Sequence, residues 1–247
     1  MNWHLVTYAD EKFKDKQEFI NKIHKDSFSI CPYDREWLEF SELYRENKEL
    51  LNDKLGAGWW IWKPYIILDT LNKAKPGDFI VYCDCGDMFS PGLKKYVEET
   101  IIGDDFCLLL VGNNLNRQYT KRDCFVLMDC DNEDYWNSKQ LESGFMVWKV
   151  CDESIRVVSD WLKYCLNYKI IGNEKSELEE EFDDFKVHRN DQSILTNIAI
   201  TEGLSVSDQE YRKFVECDYD YWYERNEKSG FNMRREIDSF LLSIKDA

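Results

Sequence analysis

The sequence predicts an α/β fold in which a central, mostly parallel sheet is flanked by helices. Three apolar runs, at residues 79–83, 106–112 and 143–150, have the length and the continuous hydrophobicity of buried strands. We expect the first two to be central strands of the sheet. Because stretches with helical spacing alternate with these runs along the chain, the pattern is typical of a doubly wound sheet.

The amino-terminal third contributes one strand and three helices to this prediction. Residues 3–9, WHLVTYA, are a short apolar run that predicts the first strand. Two amphipathic stretches, at 10–28 and 35–51, each predict a helix, since their apolar residues recur at helical spacing. The third helix begins near Pro64, because proline suits the first turn of a helix.

The remaining segments complete one domain. A helix is predicted over 152–167 and another over 190–203, each with apolar residues at helical spacing. Between them, the acidic run at 174–185 is predicted to be a solvated loop or helix face, because densely packed like charges repel one another. We predict a single domain over 1–247, with 203–247 as a carboxyl-terminal appendage.

Charge and cysteine content exclude several functional classes. The formal net charge is −16, which argues against an extended surface for nucleic acid or for an acidic membrane. Nine scattered cysteines without CxxC spacing are typical of reduced, mostly buried thiols. The sequence has no apolar stretch of bilayer-spanning length and no signal-peptide pattern at its start, so a cytoplasmic location is predicted.

Two carboxylates follow the buried run at 79–83, in the stretch GDFIVYCDCGDMF. Asp84 and Asp87 stand three positions apart, at the end of a predicted strand. Ligands of open α/β sheets collect at the carboxyl ends of strands, and paired carboxylates suit a divalent ion such as Mn²⁺ or Mg²⁺. The alternative is a turn in which the Asp side chains bond their own backbone and Gly86 supplies a positive φ.

A lysine stands beside the predicted start of the third helix. Because Lys63 precedes Pro64, we predict that it lies outside the helix. A helix amino terminus attracts phosphate, and a neighbouring lysine would add to that attraction. The alternative is a solvated lysine with no ligand.

The segment HRNDQSILTN is more polar than a helix start requires. Asn190 is predicted to cap the helix, which places Asp191 and Gln192 in its first turn as candidate site residues. His188 is a candidate metal ligand, although a lone histidine is more often structural. Acidic residues in a first turn are also ordinary helix stabilisers.

Two further segments carry candidate ligand contacts. Lys121 and Arg122 adjoin each other in an otherwise acidic chain and could bind phosphate, or else form salt bridges to the acidic surface. The run WWIW at 59–62 could present one exposed tryptophan to a sugar ring, although most such tryptophans belong to the core.

Taken in order, these motifs resemble those of nucleotide-sugar glycosyltransferases with the Rossmann-like GT-A fold. Among described families, the pattern is similar to glycogenin and the lipopolysaccharide galactosyltransferases. It is more similar to uncharacterised glycosyltransferases of bacteria and large DNA viruses, which share the patterns WIWKP, YxDxG and HRxDQS. The resemblance covers most of residues 3–203.

The resemblance implies a role for each matching segment. VTYAD is similar to the strand and turn that hold the nucleotide base and ribose, which implies donor contacts for Thr7, Tyr8, Ala9 and Asp10. WKPYIILDTL implies a donor contact for Lys63. VYCDCG is similar to the YLDxD motif and implies that Asp84 binds metal and donor. ESGFMVWKV is similar to the NSGVMLMN strand, implying a donor contact at Gly144, and DQSILTN is similar to DQDxLN, implying catalytic roles for Asp191 and Gln192.

Three departures from the family pattern stand out, and the first two concern the metal. The second carboxylate of the motif falls on Gly86, so that either Asp87 substitutes for it or Asp84 holds the metal with weaker support. The late His-Phe-x-Gly segment, which supplies a metal histidine, is absent. DQD has become DQS, so that only Asp191 and Gln192 carry over.

The resemblance implies that the protein transfers a sugar from a nucleoside-diphosphate sugar to a glycan or another hydroxyl acceptor. A UDP-sugar is the expected donor, and polysaccharide biosynthesis is the expected setting. The leaving diphosphate would be neutralised by a metal, by Lys63 and Arg122, or by a helix amino terminus. One alternative is a carbohydrate- or partner-binding module that has lost turnover. A sugar nucleotidyltransferase is the other, but TYADEKF lacks the glycine-rich, basic loop that would cradle a triphosphate.

Overall fold

The computed structural model describes residues 1–90, 92–103, 105–206 and 215–217. The strands are β1 (Trp3–Ala9), β2 (Ser29–Asp34), β3 (Phe79–Cys83), β4 (Asp87–Phe89), β5 (Cys107–Leu115), β6 (Lys139–Lys149) and β7 (Val215–Cys217). The helices are α1 (Lys14–His24), α2 (Arg35–Phe40), α3 (Glu42–Glu46), α4 (Lys48–Leu51), α5 (Gly56–Trp59), α6 (Trp62–Lys73), α7 (Leu93–Thr100), α8 (Asn116–Tyr119), α9 (Arg122–Leu127), α10 (Glu133–Trp136), α11 (Asp152–Cys165), α12 (Tyr168–Ile171) and α13 (Asn190–Glu202). The predicted appendage lies largely outside the described residues, apart from β7, which pairs with β4.

A five-stranded sheet in the order β2-β1-β3-β6-β5 forms the centre of the fold. β1 pairs in parallel with β2 and β3, whereas β6 runs antiparallel to both of its neighbours, β3 and β5. Four of the five strands therefore point the same way, and the predicted α/β class with a mostly parallel sheet is confirmed.

Both faces of the sheet are covered, which explains why its strands read as continuous apolar runs. On one face, Val6 and Tyr82 pack in a core with α6, α11 and α13. On the other, Leu5 and Val81 pack in a second core with α1 and α7. Adjacent residues of a strand thus enter different cores, as the two-residue period of a strand requires.

One sequence prediction for the sheet needs correction: the run at 106–112 forms β5 at the sheet edge rather than a central strand, because β6 lies between it and β3. The strand predicted at 143–150 is confirmed as part of β6, which runs antiparallel to both neighbours. β2 was not predicted, since its mixed burial and Pro32 suit a sheet edge and give no apolar signal.

The helix predictions hold with two exceptions. The stretch at 35–51 is three short helices, because Ser41 is extended (φ −73°, ψ 159°) and its hydroxyl caps the next turn by accepting from the Tyr44 N–H at 3.1 Å. The second exception is Lys63, which lies in the first turn of α6. Pro64 lies in the same first turn, where proline is tolerated because its missing N–H needs no partner within the helix.

The acidic run at 174–185 is a loop, as one of the two predicted alternatives. Its backbone is nevertheless tied to the domain, because the buried Asp123 carboxylate accepts the N–H groups of Glu177 and Leu178.

No helix in the described part of the chain has both the length and the apolar character needed to cross a membrane. The described cysteine side chains are free thiols, as predicted.

Candidate active site

The candidate site lies where β3 ends beside an irregularity in β6. The register between β5 and β6 shifts after Leu109, so that Ser143 and Gly144 leave the regular ladder. Such bulges redirect backbone and side-chain groups near functional sites. Here the Gly144 carbonyl accepts the Asp84 N–H at 2.7 Å, which fixes the turn after β3 against β6.

Lys63 joins the two predicted carboxylate segments. Its Nζ lies 3.5 Å from Asp84 Oδ1 and 3.5 Å from Asp191 Oδ2, and the lysine side chain is only 2% exposed. Nζ also donates to the Ser143 carbonyl at 3.1 Å and to its hydroxyl at 3.2 Å. The structure therefore brings together Lys63, Asp84 and Asp191, although they come from distant parts of the chain.

Burial and charge oppose each other in this cluster. Burial disfavours the Lys63 ammonium, but the carboxylates of Asp191 and Asp84 outweigh burial and raise the pKa of the lysine. Burial raises the pKa of Asp191, and the charge of Lys63 works in the opposite direction. One oxygen of this buried carboxylate, Oδ2, has no hydrogen-bond partner among the described residues.

Asp84 is the accessible member of the cluster, with 40% of its side chain exposed. The buried Tyr82 hydroxyl donates to Asp84 Oδ1, and burial together with the Asp84 charge raises the pKa of that tyrosine well above its ordinary value. Neither Tyr82 nor Ser143 was among the site residues predicted from the sequence. A tyrosine near the end of an apolar strand is a usable signal, because its buried hydroxyl requires a partner.

Gly144 leaves space for two carboxylates. A Cβ built on Gly144 would lie 2.7 Å from Asp87 Oδ2 and 3.2 Å from Asp84 Oδ2, so both side chains face one point. Two carboxylates facing one point suit a Mg²⁺- or Mn²⁺-like ion that takes its other ligands from phosphate oxygens and water. In the described residues, no group of three or more His, Cys, Asp or Glu side chains is placed to hold a metal.

His188 and Gln192 have other partners. His188 Nδ1 accepts the Lys121 N–H at 3.3 Å, and Nε2 donates to the Ile170 carbonyl at 2.9 Å. Both ring nitrogens are thus engaged by backbone, which corrects the prediction of a metal ligand. The Gln192 amide accepts from the Ser143 N–H at 3.3 Å and donates to Gln140 Oε1 at 2.9 Å. Gln192 therefore positions the β6 irregularity.

The start of α13 differs from the predicted cap. Asn190 does not cap the helix; it has a φ of 45°, and its Nδ2 donates to the Ile171 carbonyl at 2.6 Å. Asp191 stands in the first turn as predicted, and Trp161 Nε1 donates to its carbonyl at 3.0 Å. These contacts turn the Asp191 carboxylate towards Lys63.

Two adjoining clefts meet at Asp84. The first, which we call the Tyr8 cleft, has a volume of about 510 Å³ and is lined by residues that include Tyr8, Asp10, Lys12, Phe13, Lys54 and Asp87. The second, the Asp191 cleft, has a volume of about 360 Å³ and is lined by residues that include Lys63, Ser143, Gly144, Asn173, Asp191 and Gln192. Asp84 and Trp60 line both clefts.

The end of β1 supplies part of the predicted nucleotide segment. Tyr8 stacks on Trp62 with ring centroids 3.9 Å apart, and Cys85 Sγ contacts the Tyr8 carbonyl at 3.1 Å. Ala9 and Asp10 line a further cleft beside Arg35. Thr7 lies apart from all of these clefts, because its buried hydroxyl bonds Asn21 on α1 at 3.2 Å.

Lys121 and Arg122 lie outside the two clefts. Arg122 Nη2 is 2.7 Å from Asp131 Oδ2, and its guanidinium covers the Trp136 and Phe182 rings. Lys121 is buried, and burial lowers its pKa. The structure thus gives Arg122 the salt bridge that was the alternative to phosphate binding.

No protein-family model matches the sequence. No curated protein matches it either. Among solved structures, mouse xyloside xylosyltransferase 1 in its apo form is similar with a TM-score of 0.46 and 11% identity over 84% of each chain. The galactosyltransferase LgtC has a TM-score of 0.44 and 14% identity over 83% of this chain and 73% of its own. A putative glucose-1-phosphate thymidylyltransferase from Bacillus anthracis has a TM-score of 0.37 and 10% identity over 83% and 86%. At this level of likeness, a proposal of function has to rest on the site residues.

Proposed function

We propose that this chain is a glycosyltransferase that moves a sugar from a nucleoside-diphosphate sugar to a hydroxyl of a glycan or other acceptor. Among the possible donors, we propose a UDP-sugar. The observation that supports this proposal most is a charged cluster at the meeting point of the two clefts. In this cluster, Lys63 Nζ lies 3.5 Å from both the Asp84 and the Asp191 carboxylates. Polysaccharide biosynthesis is the setting that we propose for this reaction.

The cluster has the charges that such a transfer requires. Cleavage of the sugar–phosphate bond leaves negative charge on the diphosphate, and Lys63 lines the Asp191 cleft beside the point where that charge would develop. Asp84 and Asp87 could hold a divalent ion, which when bound would neutralise part of the diphosphate charge. The nucleoside would occupy the Tyr8 cleft, whose rim carries Lys12 and Lys54.

Asp191 supplies the oxygen at the reacting end. The anomeric carbon becomes electron-deficient as the leaving group departs, and Oδ2 of Asp191, which has an ion pair with Lys63 but no hydrogen-bond partner among the described residues, would stabilise that charge. The same oxygen would serve as a general base if it faces the acceptor hydroxyl instead. The anomeric configuration of the product, read by NMR, distinguishes these two roles.

The experiment is a release assay with the full chain. The purified protein is incubated with single nucleotide sugars, with and without Mn²⁺, and free nucleoside diphosphate is measured. We expect slow release that is lost in Asp84→Asn and kept in Asp26→Asn, since Asp26 is exposed and lines neither cleft. Binding without any release would favour the non-catalytic module. Absence of binding to every nucleotide sugar would reject both.

A further inference from the structure

The segment that contains α5, directly before α6, has an unusual left-handed backbone. Five consecutive residues have positive φ: 58° at Gly56, 52° at Ala57, 103° at Gly58, 58° at Trp59 and 56° at Trp60. Side-chain-bearing residues avoid this left-handed region because Cβ approaches the following carbonyl. Two tryptophans and an alanine adopt it here, and strain of this kind persists only where surrounding contacts enforce it.

The surrounding contacts fix the indole of Trp60. A Cβ on Gly56 would overlap ring carbons of Trp60, so glycine makes room for the indole to lie against the backbone. Trp62 Nε1 donates to the Gly56 carbonyl at 2.9 Å, and Arg35 Nη1 donates to the Ala57 carbonyl at 3.4 Å. The left-handed turn therefore holds Trp60 in one place.

That place is the junction of the two clefts. Trp59 and Trp62 are each 6% exposed and belong to the core, whereas Trp60 is half-buried. Trp60 lines both the Tyr8 cleft and the Asp191 cleft, as Asp84 does. Trp60 packs against the main core with one part of its side chain and leaves the rest open to the two clefts.

We propose that Trp60 is a platform on which a pyranose ring of the acceptor stacks in the Asp191 cleft. This proposal rests on the proposed function. Asn173 and Asp191 give that cleft an amide and a carboxylate, which bind sugar hydroxyls, and Lys63 and Arg189 line it beside them. Lys12 and Lys54, which suit phosphates, line the Tyr8 cleft. An indole face covers the apolar face of a sugar ring, while polar groups around it select the hydroxyls.

The test uses methyl glycosides of glucose, galactose, mannose and xylose as probes, added to the full chain with UDP present. Binding is followed by saturation-transfer NMR, and UDP affinity is measured by calorimetry. We expect at least one glycoside to bind, with affinity about 10-fold weaker in Trp60→Asn and largely kept in Trp60→Phe. Asparagine tolerates the left-handed region, so Trp60→Asn removes the ring without adding backbone strain.

Trp37→Phe is the matched control, because Trp37 is half-buried and lines neither cleft. Glycoside binding that Trp60→Asn leaves unchanged overturns the proposal, as does absence of binding to the wild-type chain. Loss of UDP affinity instead would show that Trp60 stacks on the nucleobase and would also overturn it. Failure of the proposed function gives a different result: no nucleotide sugar releases its diphosphate, while Trp60-dependent glycoside binding persists.

Discussion

Lys63 and Arg122 are both cations placed between acidic groups, but their surroundings differ. Arg122 has an ion pair of 2.7 Å to Asp131, and aromatic rings cover its guanidinium. The two ion pairs of Lys63 are 3.5 Å long, beyond the range of about 2.7–2.9 Å that charge-assisted hydrogen bonds prefer. The Asp191 oxygen in this pair, Oδ2, has no hydrogen-bond partner among the described residues.

The difference separates a structural cation from one available to a ligand. The Arg122 backbone N–H also donates to the Glu181 carboxylate, and Nη1 donates to the Glu180 carbonyl, so that apart from Nε its donors are engaged by Asp131 and the acidic loop. A phosphate could reach it only by displacing those contacts. Lys63 instead lines the Asp191 cleft, and both of its ion pairs are longer than that of Arg122. This comparison leads to four predictions.

Asp84→Asn should have the largest effect, because Asp84 is the exposed carboxylate at the junction of the clefts. We expect release of nucleoside diphosphate to fall at least about 10³-fold, the upper range for loss of one preorganised electrostatic group. The melting temperature should barely change, since the amide can still accept the Tyr82 hydroxyl. A large loss of stability with turnover intact would contradict a catalytic role.

Lys63→Met and Arg122→Met test the comparison directly. Lys63→Met leaves the buried Asp191 carboxylate without its cation and should lower the free energy of unfolding by about 3–5 kcal/mol. It should also weaken nucleoside-diphosphate binding more than nucleoside-monophosphate binding. Arg122→Met should lower stability by only about 1–2 kcal/mol and leave both affinities unchanged. Denaturant unfolding and calorimetry measure these effects, and equal losses of affinity in the two variants would erase the distinction.

Asp191→Asn should reduce the rate of sugar transfer by about 10²-fold, the size expected when a positioned acid–base or charge-stabilising group is lost. Nucleotide affinity should hardly change, because the nucleoside is proposed to lie in the Tyr8 cleft. The measurement is kcat with saturating donor, alongside the Kd for UDP. A near-normal rate would assign Asp191 to the helix start alone.

The sequence predicted those parts of the site that lie next to regular elements. Asp84 follows a strongly apolar strand, and Asp191 opens a strongly apolar helix, so both positions followed from local pattern. Their meeting at Lys63 depends on the order of the strands and on the β6 irregularity at Ser143. Neither has a local signal, since the pairing partners of a bulge lie far apart in the chain.

The surroundings of the two cations could not be predicted from the sequence either. Lys63 and Arg122 looked alike in sequence because each is a basic residue in an acidic chain and a candidate phosphate contact. Only the fold decides that Trp136 and Phe182 cover Arg122, and that Ser143 and two carboxylates surround Lys63. The left-handed turn at Gly56–Trp60 was equally hidden, since tryptophan and alanine disfavour that conformation.

The fourth prediction concerns the structural region around Arg122. Acid should lower the stability of the fold through His188, which accepts the N–H of the neighbouring Lys121. Burial and the charge of Lys121 lower the pKa of His188 to about 3. The unfolded chain takes up a proton as the pH falls through about 6.5, whereas the folded chain does so only near the lower value. His188 therefore stabilises the fold above that upper pH, and its contribution is lost progressively on acidification, by up to about 1.4 kcal/mol per pH unit. Urea unfolding between neutral pH and the lower pKa measures this slope.

His188→Asn should have a smaller slope than the wild-type chain, while the asparagine amide can still donate to the Ile170 carbonyl. The matched variant is His24→Leu. Burial lowers the pKa of His24 to about 4, and neither ring nitrogen has a hydrogen-bond partner among the described residues. His24→Leu should lose its own share of the acid sensitivity and keep that of His188. If His188→Asn retained the full wild-type slope, protonation of His188 would not be a cause of the acid sensitivity. The structural role assigned to His188 beside Lys121 would then be wrong.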